Sequence, residues 1–492
     1  MGIKVDIRTG SFEQLRQLIQ EGGRIRSTKQ GDEFVVYATQ KRSSNRVNRL
    51  LDHCSGNTGA KRLHVLASVK ALCARHGIDF DQEIRNCGMS IYDLNKVLAG
   101  KGDLKGEHLC RVLARFVEVD DKMFAIDLRK PLGRGANAEV FEARHGNERI
   151  AVRRVIPPTN LSPRTQEAWL KANDSLRREV ATHSMATRNK LPGEERSFVL
   201  PTHDEVVVAG DGTPYQAMKC GLASGAEQIQ EHRKADTLAQ LFSRKKKGPL
   251  MPPEIQRLKE NRPGLKQEFL DRQGSDAAVR LTVVDWAKGV DQAGLNGVAH
   301  RDIKPENFLI DDDGYFQLTD FGTSSPDNSL FQSSRGGATV MVTGNGNDFA
   351  KSPEWLEHED RESNARFDVG PKSDSFSLGV AGWRLLTGGR FPFDGTKDQP
   401  DKAVNGTLYV DNVRSYAKSG LTFSAWYESR HPGLVIPQEW RPFLDASLNS
   451  DPEVRASPAE LGALVPRFDQ HKKVNEATVR QTMLDKARRG RT

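Results

Sequence analysis

Two short polar runs hold the residue types that chemistry needs: V-A-H-R-D-I-K-P-E-N-F-L-I at 298–310 and L-T-D-F-G at 318–322. Their apolar flanks are suited to a tight hairpin, which brings Asp302, Asn307 and Asp320 together. Magnesium takes hard oxygen donors while keeping several waters, and Asn307 with Asp320 supply such donors. Asp302 is then left to accept or orient a hydroxyl proton. Lys304 is near enough to neutralise charge on a phosphoryl group in transfer.

H-R-D-I-K-P-E-N resembles the complete catalytic loop of the eukaryotic-type protein kinases, and D-F-G resembles that family's metal-binding element. With Lys304 two residues after Asp302, the K-P-E-N form resembles the Ser/Thr branch. Upstream, L-G-R-G-A-N-A-E-V at 132–140 resembles the family's Gly-rich phosphate loop. Gly133, Gly135 and Val140 are in place, and the small Ala138 stands at the third glycine position. Glu179, in L-R-R-E-V, falls where the family's ion-pairing glutamate belongs, with Glu167 on the same segment as the other candidate. The run Y-Q-A-M-K-C-G at 215–221 resembles the strand into the nucleotide hinge. Met218 would guard the back pocket, and Lys219 and Cys220 would offer backbone groups to adenine. Downstream, S-P-E (Ser352–Glu354) resembles the A-P-E element, Asp374 the aspartate that steadies the catalytic loop, and Arg455 the arginine that pairs with Glu354.

The resemblance covers about residues 127–468. It implies an α+β, bilobal fold with a β-rich N-lobe and an α-rich C-lobe. It also implies transfer of the γ-phosphoryl group of ATP, with Mg2+, to a hydroxyl of a protein substrate. Asp302, Lys304 and Asn307 would carry the catalysis, and Asn307 and Asp320 would hold the metal.

One position departs from the pattern. Ala151 fits the family's A-x-K element, but its lysine falls at Arg153. Arginine keeps the charge and presents a planar fork in place of a compact ammonium, so the exchange is not conservative. Arg154 is no simple substitute, because neighbours on a strand face opposite sides. Three readings stay open. Arg153 works in a remodelled site or yields to another lysine such as Lys130; the domain is a nucleotide-binding pseudokinase scaffold; or the chain is a Lys-to-Arg inactivated kinase.

Between D-F-G and S-P-E lie Ser324, Ser325, Ser329, Ser333, Ser334, Thr339 and Thr343. Arg301 is placed to clamp a phosphate on this segment, so (auto)phosphorylation is expected, beside the plainer reading of a polar loop.

Around these motifs the 492 residues exceed a single core and divide into several units. Residues 1–120 read as a small, mainly α-helical module, with helical stripes at 60–76 and 109–116 and a capping box at Ser90 and Asp93. A protein partner is the role left open for it. Strands are expected at 128–132, 139–144, 149–156, 205–209 and 215–219, and helices at 165–189, 277–293 and through much of the chain after 354. Residues 222–275 read as a polar insertion and 469–492 as a basic tail.

A hydrophobic share of 37% with 28% charged residues excludes the disordered class. The +8 net charge is scattered and accompanied by no nucleic-acid motif. No apolar run would span a bilayer, and no apolar leader or myristoylation pattern opens the chain. Five widely spaced cysteines read as reduced thiols. A cytoplasmic location is expected, with delivery into a host cytosol as a bacterial effector the alternative.

Overall fold

The fold is described from a computed structural model. Described residues are 114–492 apart from 136, 158–161, 210–212, 228, 230–264, 327–348, 361–369, 395–405, 432–435, 468–474 and 490–492, with 5–6, 24–30, 33–39 and scattered positions between 66 and 99. The chain forms two units: residues 1–177 with 203–220, and residues 178–202 with 221–492.

The first unit opens with strands where helix was expected. Strands β1 (Val5–Asp6), β2 (Arg24–Gln30) and β3 (Glu33–Thr39) form an antiparallel sheet of order β1-β3-β2, inside a region expected to be mainly helical. The register pairs Gln30 with Glu33 and leaves two residues, Gly31-Asp32, for the connection. The signal was present in E-F-V-V-Y-A-T, a β-branched and aromatic run that disfavours helix. Helical backbone does occur at positions 66–67, 70–71, 73–74, 92 and 95–96. The proposed capping box at Ser90 lies outside the described residues.

A second sheet follows: β4 (Phe116–Val119), β5 (Lys122–Arg134), β6 (Ala138–His145), β7 (Glu148–Val155), β8 (Val207–Val208) and β9 (Pro214–Lys219). Their order is β4-β5-β6-β7-β9-β8, all antiparallel, and a bridge from Val117 to Ala209 joins the two ends of this order. Phe124, Ile126, Phe141, Ala143, Val152, Tyr215 and Ala217 fill the core. Gly146 takes φ +57° in the β6–β7 turn, a backbone state that glycine enters without steric cost.

Directly opposed residues of neighbouring strands share a face. Arg153 opposes Val140 and Gln216, and Ala151 opposes Met218, so these residues line one side of the sheet. Arg154 lies on the other. Its guanidinium donates to Glu139 Oε1 at 2.8 and 2.9 Å and to the Tyr215 hydroxyl at 3.1 Å.

Helix α1 (Pro163–Thr187) runs from the first unit into the second. The second unit is built on α2 (Leu265–Leu295), where Val279, Val283, Trp286, Ala287, Val290 and Ala293 are all buried. A helix apolar on so many sides belongs at the centre of a domain. Around it lie β10 (Val298–Ala299), β11 (Phe308–Ile310), β12 (Phe316–Leu318) and β13 (Ser325–Pro326), then α3 (Pro353–Asp360), α4 (Pro371–Leu386), α5 (Gly406–Ser419) and α6 (Phe423–Arg430). Helices α7 (Arg441–Ser447), α8 (Pro458–Leu464) and α9 (Glu476–Arg489) complete it. Gly289 lets α2 approach closely, since a Cβ there would stand 2.9 Å from the Phe198 carbonyl oxygen and 3.2 Å from Leu318.

At one end of 222–275, Leu222 is buried and its N–H donates to the Ile310 carbonyl; at the other, residues 265–275 belong to α2. The basic tail contributes α9, whose Val479, Met483 and Leu484 are buried in the unit's core while Lys486, Arg488 and Arg489 stay exposed in its last turn.

Arg455, with no side-chain exposure, donates to both carboxylate oxygens of Glu354 at 2.7 and 2.8 Å and to the Asn449 and Lys372 carbonyls at 2.8 Å. Burial pushes the Glu354 carboxyl up, but the Arg455 hydrogen bonds and charge prevail and hold it below its ordinary value. A folded-state value below the unfolded one adds stability above the ordinary carboxylate range, and that stability is lost as pH falls through the folded value. Glu354→Gln is therefore expected to cost roughly 3–5 kcal/mol in urea melts at pH 7. The gap from the parent should narrow below about pH 4; a gap of constant size would show that the ion pair is not its source.

Candidate functional site

The catalytic loop hangs from one buried carboxylate. Asp374, near the start of α4 and 2% exposed, accepts the backbone N–H groups of His300 (2.7 Å) and Arg301 (2.8 Å). Burial pushes its carboxyl above the ordinary value, against the pull of those N–H donors and the neighbouring Arg301 charge. Arg301 sits at φ +67° and Asp320 at φ +63°, left-handed states that a non-glycine residue holds only when its surroundings impose them. His300 helps impose them. Its Nε2 lies 3.0 Å from the Thr319 carbonyl oxygen, and its Nδ1 accepts the Asp302 N–H at 3.3 Å, which places the ring proton on Nε2. Phe321 packs between the rings of His300 and His183, with centroids 4.8 and 4.5 Å away.

The expected convergence is present within this unit. Asn307 closes a 3-10 turn at Pro305–Asn307, and Thr319 N–H donates to its carbonyl at 2.8 Å, setting D-F-G beside the catalytic loop. Lys304 Nζ donates to Asp302 Oδ2 at 2.5 Å. The Asn307 side-chain amide donates to the same oxygen at 3.2 Å and to the Asp302 carbonyl at 2.8 Å. With its nitrogen committed to Asp302, Asn307 offers Oδ1 as a ligand atom. That oxygen and the Asp320 carboxylate form a hard donor set that fits Mg2+. Glu179 lies on the same side: a Cβ on Gly322 would stand 3.4 Å from both Glu179 Oε2 and Asp320 Oδ1.

In the first unit, Gly133 opposes Val140 in the β5–β6 pairing, and Gly135 N–H donates to the Ala138 carbonyl at 2.8 Å. A Cβ at Gly133 would meet nothing within 4 Å, so packing among the described residues does not demand that glycine. Bare backbone there fits the close approach of a phosphate. Ala151, Met218 and Cys220 are buried, while Arg153 and Lys219 are partly exposed. Arg153 and Glu179 belong to different units.

Several contacts were not foreseen from the sequence. Thr323 and Ser324 hydroxyls donate to the His300 carbonyl at 3.2 and 3.0 Å, which ties Ser324 to the catalytic loop. Ser329, Ser333, Ser334, Thr339 and Thr343 lie outside the described residues. Ser352 shares a 2.9 Å hydrogen bond with Ser373, joining S-P-E to α4. Arg384 forks onto both oxygens of Glu306, the residue before Asn307, at 3.0 and 3.3 Å. Their residue types carry no signal, since serine, threonine and surface charge pairs are common everywhere.

Comparison with known proteins agrees with this geometry. The protein kinase domain family matches residues 263–464. Over 129 residues the chain is 37% identical to the probable serine/threonine-protein kinase pknA2 of Bifidobacterium longum, covering 26% of this chain and 15% of that protein. It is 30% identical over 161 residues to CBL-interacting protein kinase 8 of Oryza sativa, covering 33% and 30%. The serine/threonine-protein kinase PknL of Mycobacterium tuberculosis is 36% identical over 107 residues, covering 22% and 23%. The chain thus spans under a third of each of these relatives. Residues 263–464, which hold the H-R-D and D-F-G loops, thus match the protein kinase domain family, and the chain is similar in part to serine/threonine-protein kinases.

Proposed function

We propose that the chain transfers the γ-phosphoryl group of ATP to a serine or threonine hydroxyl of a protein, its own activation segment included. The observation that carries this reading is the convergence of Lys304 and Asn307 on one oxygen of Asp302. Both donors take Oδ2, which fixes the carboxylate and leaves Oδ1 to accept a hydrogen bond from the attacking hydroxyl and orient it. Lys304 also lies where positive charge lowers the cost of the charge spreading over the phosphoryl oxygens. Asn307 and Asp320 would hold Mg2+, which supplies charge neutralisation on the transferring phosphate when bound. The backbone at Gly133–Ala138 would receive the phosphates, and Met218, Lys219 and Cys220 would flank the adenine. ATP use, the metal and these contacts are supported by the family match and the fit of the residues. A cytoplasmic setting and a partner for residues 1–120 remain part of the proposal; among the described residues, no helix is long and apolar enough to cross a membrane.

Arg153 motivates a second reading, a scaffold that binds nucleotide without turning it over. The strand register puts Arg153 on the same face as Val140 and Met218, which supports reading it at the position of the family's lysine. The intact Asp302, Lys304, Asn307 and Asp320 favour the enzyme.

Phosphate transfer from labelled ATP to a general Ser/Thr substrate separates the two. Asp302→Ala is expected to lower turnover by about 10²–10⁴-fold, the usual contribution of a positioned proton acceptor. Nucleotide binding with no incorporation in the parent would favour the scaffold. Arg153→Lys is expected to raise turnover by about ten-fold, equivalent to ~1.4 kcal/mol off the barrier. A fall instead would show that arginine has a role of its own in this site.

A further inference from the structure

The C-terminal helix α9 lies beyond the residues matched to the kinase domain, yet one of its side chains enters the hairpin that carries the metal-binding pair. Arg480, 5% exposed, donates to both oxygens of Asp285 at 2.8 and 3.1 Å and to the Gly314 carbonyl at 3.1 Å. Its Nε donates to Glu476 at 2.7 Å, and its guanidinium lies 3.5 Å from the Tyr315 ring centroid. Arg196 lies 3.4 Å from the same ring centroid. Asp285, on α2 with no exposure, also accepts the Phe316 N–H at 3.0 Å. Gly314, at the β11–β12 turn with φ +84°, tolerates no side chain: a Cβ would stand 2.8 Å from the Arg480 carbonyl oxygen.

The hairpin is flanked by backbone contacts from Phe198 and Leu200 to Leu318 and from Leu222 and Ala223 to Ile310, and Asp311 caps its turn; the Asp285–Arg480 pair adds the contact at the start of β12. Strands β11 and β12 pair over three residues each, Asn307 immediately precedes the first and Asp320 lies two residues after the second. Asp285 fixes the first residue of β12; burial pushes its carboxyl up, and the charge and hydrogen bonds of Arg480 oppose that push. Burial works against charge on Arg480, but the Asp285 and Glu476 carboxylates more than offset it and hold its pKa up. Without the guanidinium, Asp285 is a lone buried charge, which must protonate or draw in water. Either response disturbs the acceptor on which the Phe316 N–H rests.

We propose that Arg480 is a positioning residue for the metal-binding pair: α9 holds the β11–β12 hairpin so that Asn307 and Asp320 stay in register. The inference rests on the reading of those two residues as metal ligands. It makes metal-dependent nucleotide binding a property of the chain through residue 480, beyond the matched kinase domain.

The full chain carrying Arg480→Ala is compared with the parent well below its melting temperature. Two readouts are used: amide hydrogen exchange, and calorimetric ATP binding over a series of Mg2+ concentrations. Exchange is expected to rise in residues 308–320 and not across α4. The half-saturating Mg2+ is expected to rise about ten-fold, the lower end of what losing an outer partner of metal ligands costs. Arg480→Lys, which keeps charge without the fork, should fall between the two. The double variant Asp285→Asn/Arg480→Ala should recover part of the Mg2+ response, because a neutral amide oxygen still accepts the Phe316 N–H. A lower melting temperature with unchanged Mg2+ dependence would overturn the positioning role and leave α9 as packing alone. Asp320→Ala is measured beside them. Full Mg2+ dependence there would refute the metal-pair reading, whereas the exchange at 308–320 judges the Arg480 contact by itself.

Discussion

The arrangement of the H-R-D and D-F-G loops in the second unit depends on the buried carboxylate of Asp374. A loop that turns through a left-handed arginine, and a neighbour that turns through a left-handed aspartate, would relax if left to itself. Two backbone N–H groups pointed at one carboxylate remove that freedom at His300 and Arg301. His300 then passes the constraint on, to Asp302 through Nδ1 and to Thr319 through Nε2. One acidic side chain on α4 therefore holds the backbone before Asp302 directly and the D-F-G loop through a single ring. The cost of burying the Asp374 charge is offset by donors that themselves need to be held.

A second layer of buried ionic contacts works outside that chain. Glu354–Arg455 ties the end of the activation segment to the loop before α8, and Asp285–Arg480 ties the central helix to α9. In both, the arginine also satisfies backbone carbonyls, which is the condition under which a buried ion pair is worth keeping. Removing either partner would strand a charge, so the two pairs also specify which segments may pack together.

How much of this could be read from the residues depended on whether the chemistry was local. The contacts among Asp302, Lys304 and Asn307 could be read from H-R-D-I-K-P-E-N because they span two and five positions. Asp374 and Arg455 were legible only through the family resemblance, since their partners lie 73 or more residues away. Arg480 was missed for the same reason: its acceptors are 195 and 166 residues upstream, and its helix looked like a solvated basic tail. In the first 39 residues the error was of another kind. Helical stripes further along were extended over a segment whose β-branched and aromatic residues favour strands.

The double arginine at 153–154 shows what alternation along a strand decides. Two like charges in sequence look interchangeable, and either might replace the expected lysine. The β7 register separates them. Arg154 faces the sheet core, where Glu139 and the Tyr215 hydroxyl bind its guanidinium and the Phe141 ring centroid lies 5.1 Å away. Turning it to the opposite side would strand Glu139, 7% exposed, without its closest cation. Arg154 is therefore spent on holding β6, β7 and β9 together. The question of activity rests on Arg153 alone, and on whether a planar fork can do the work of a compact ammonium.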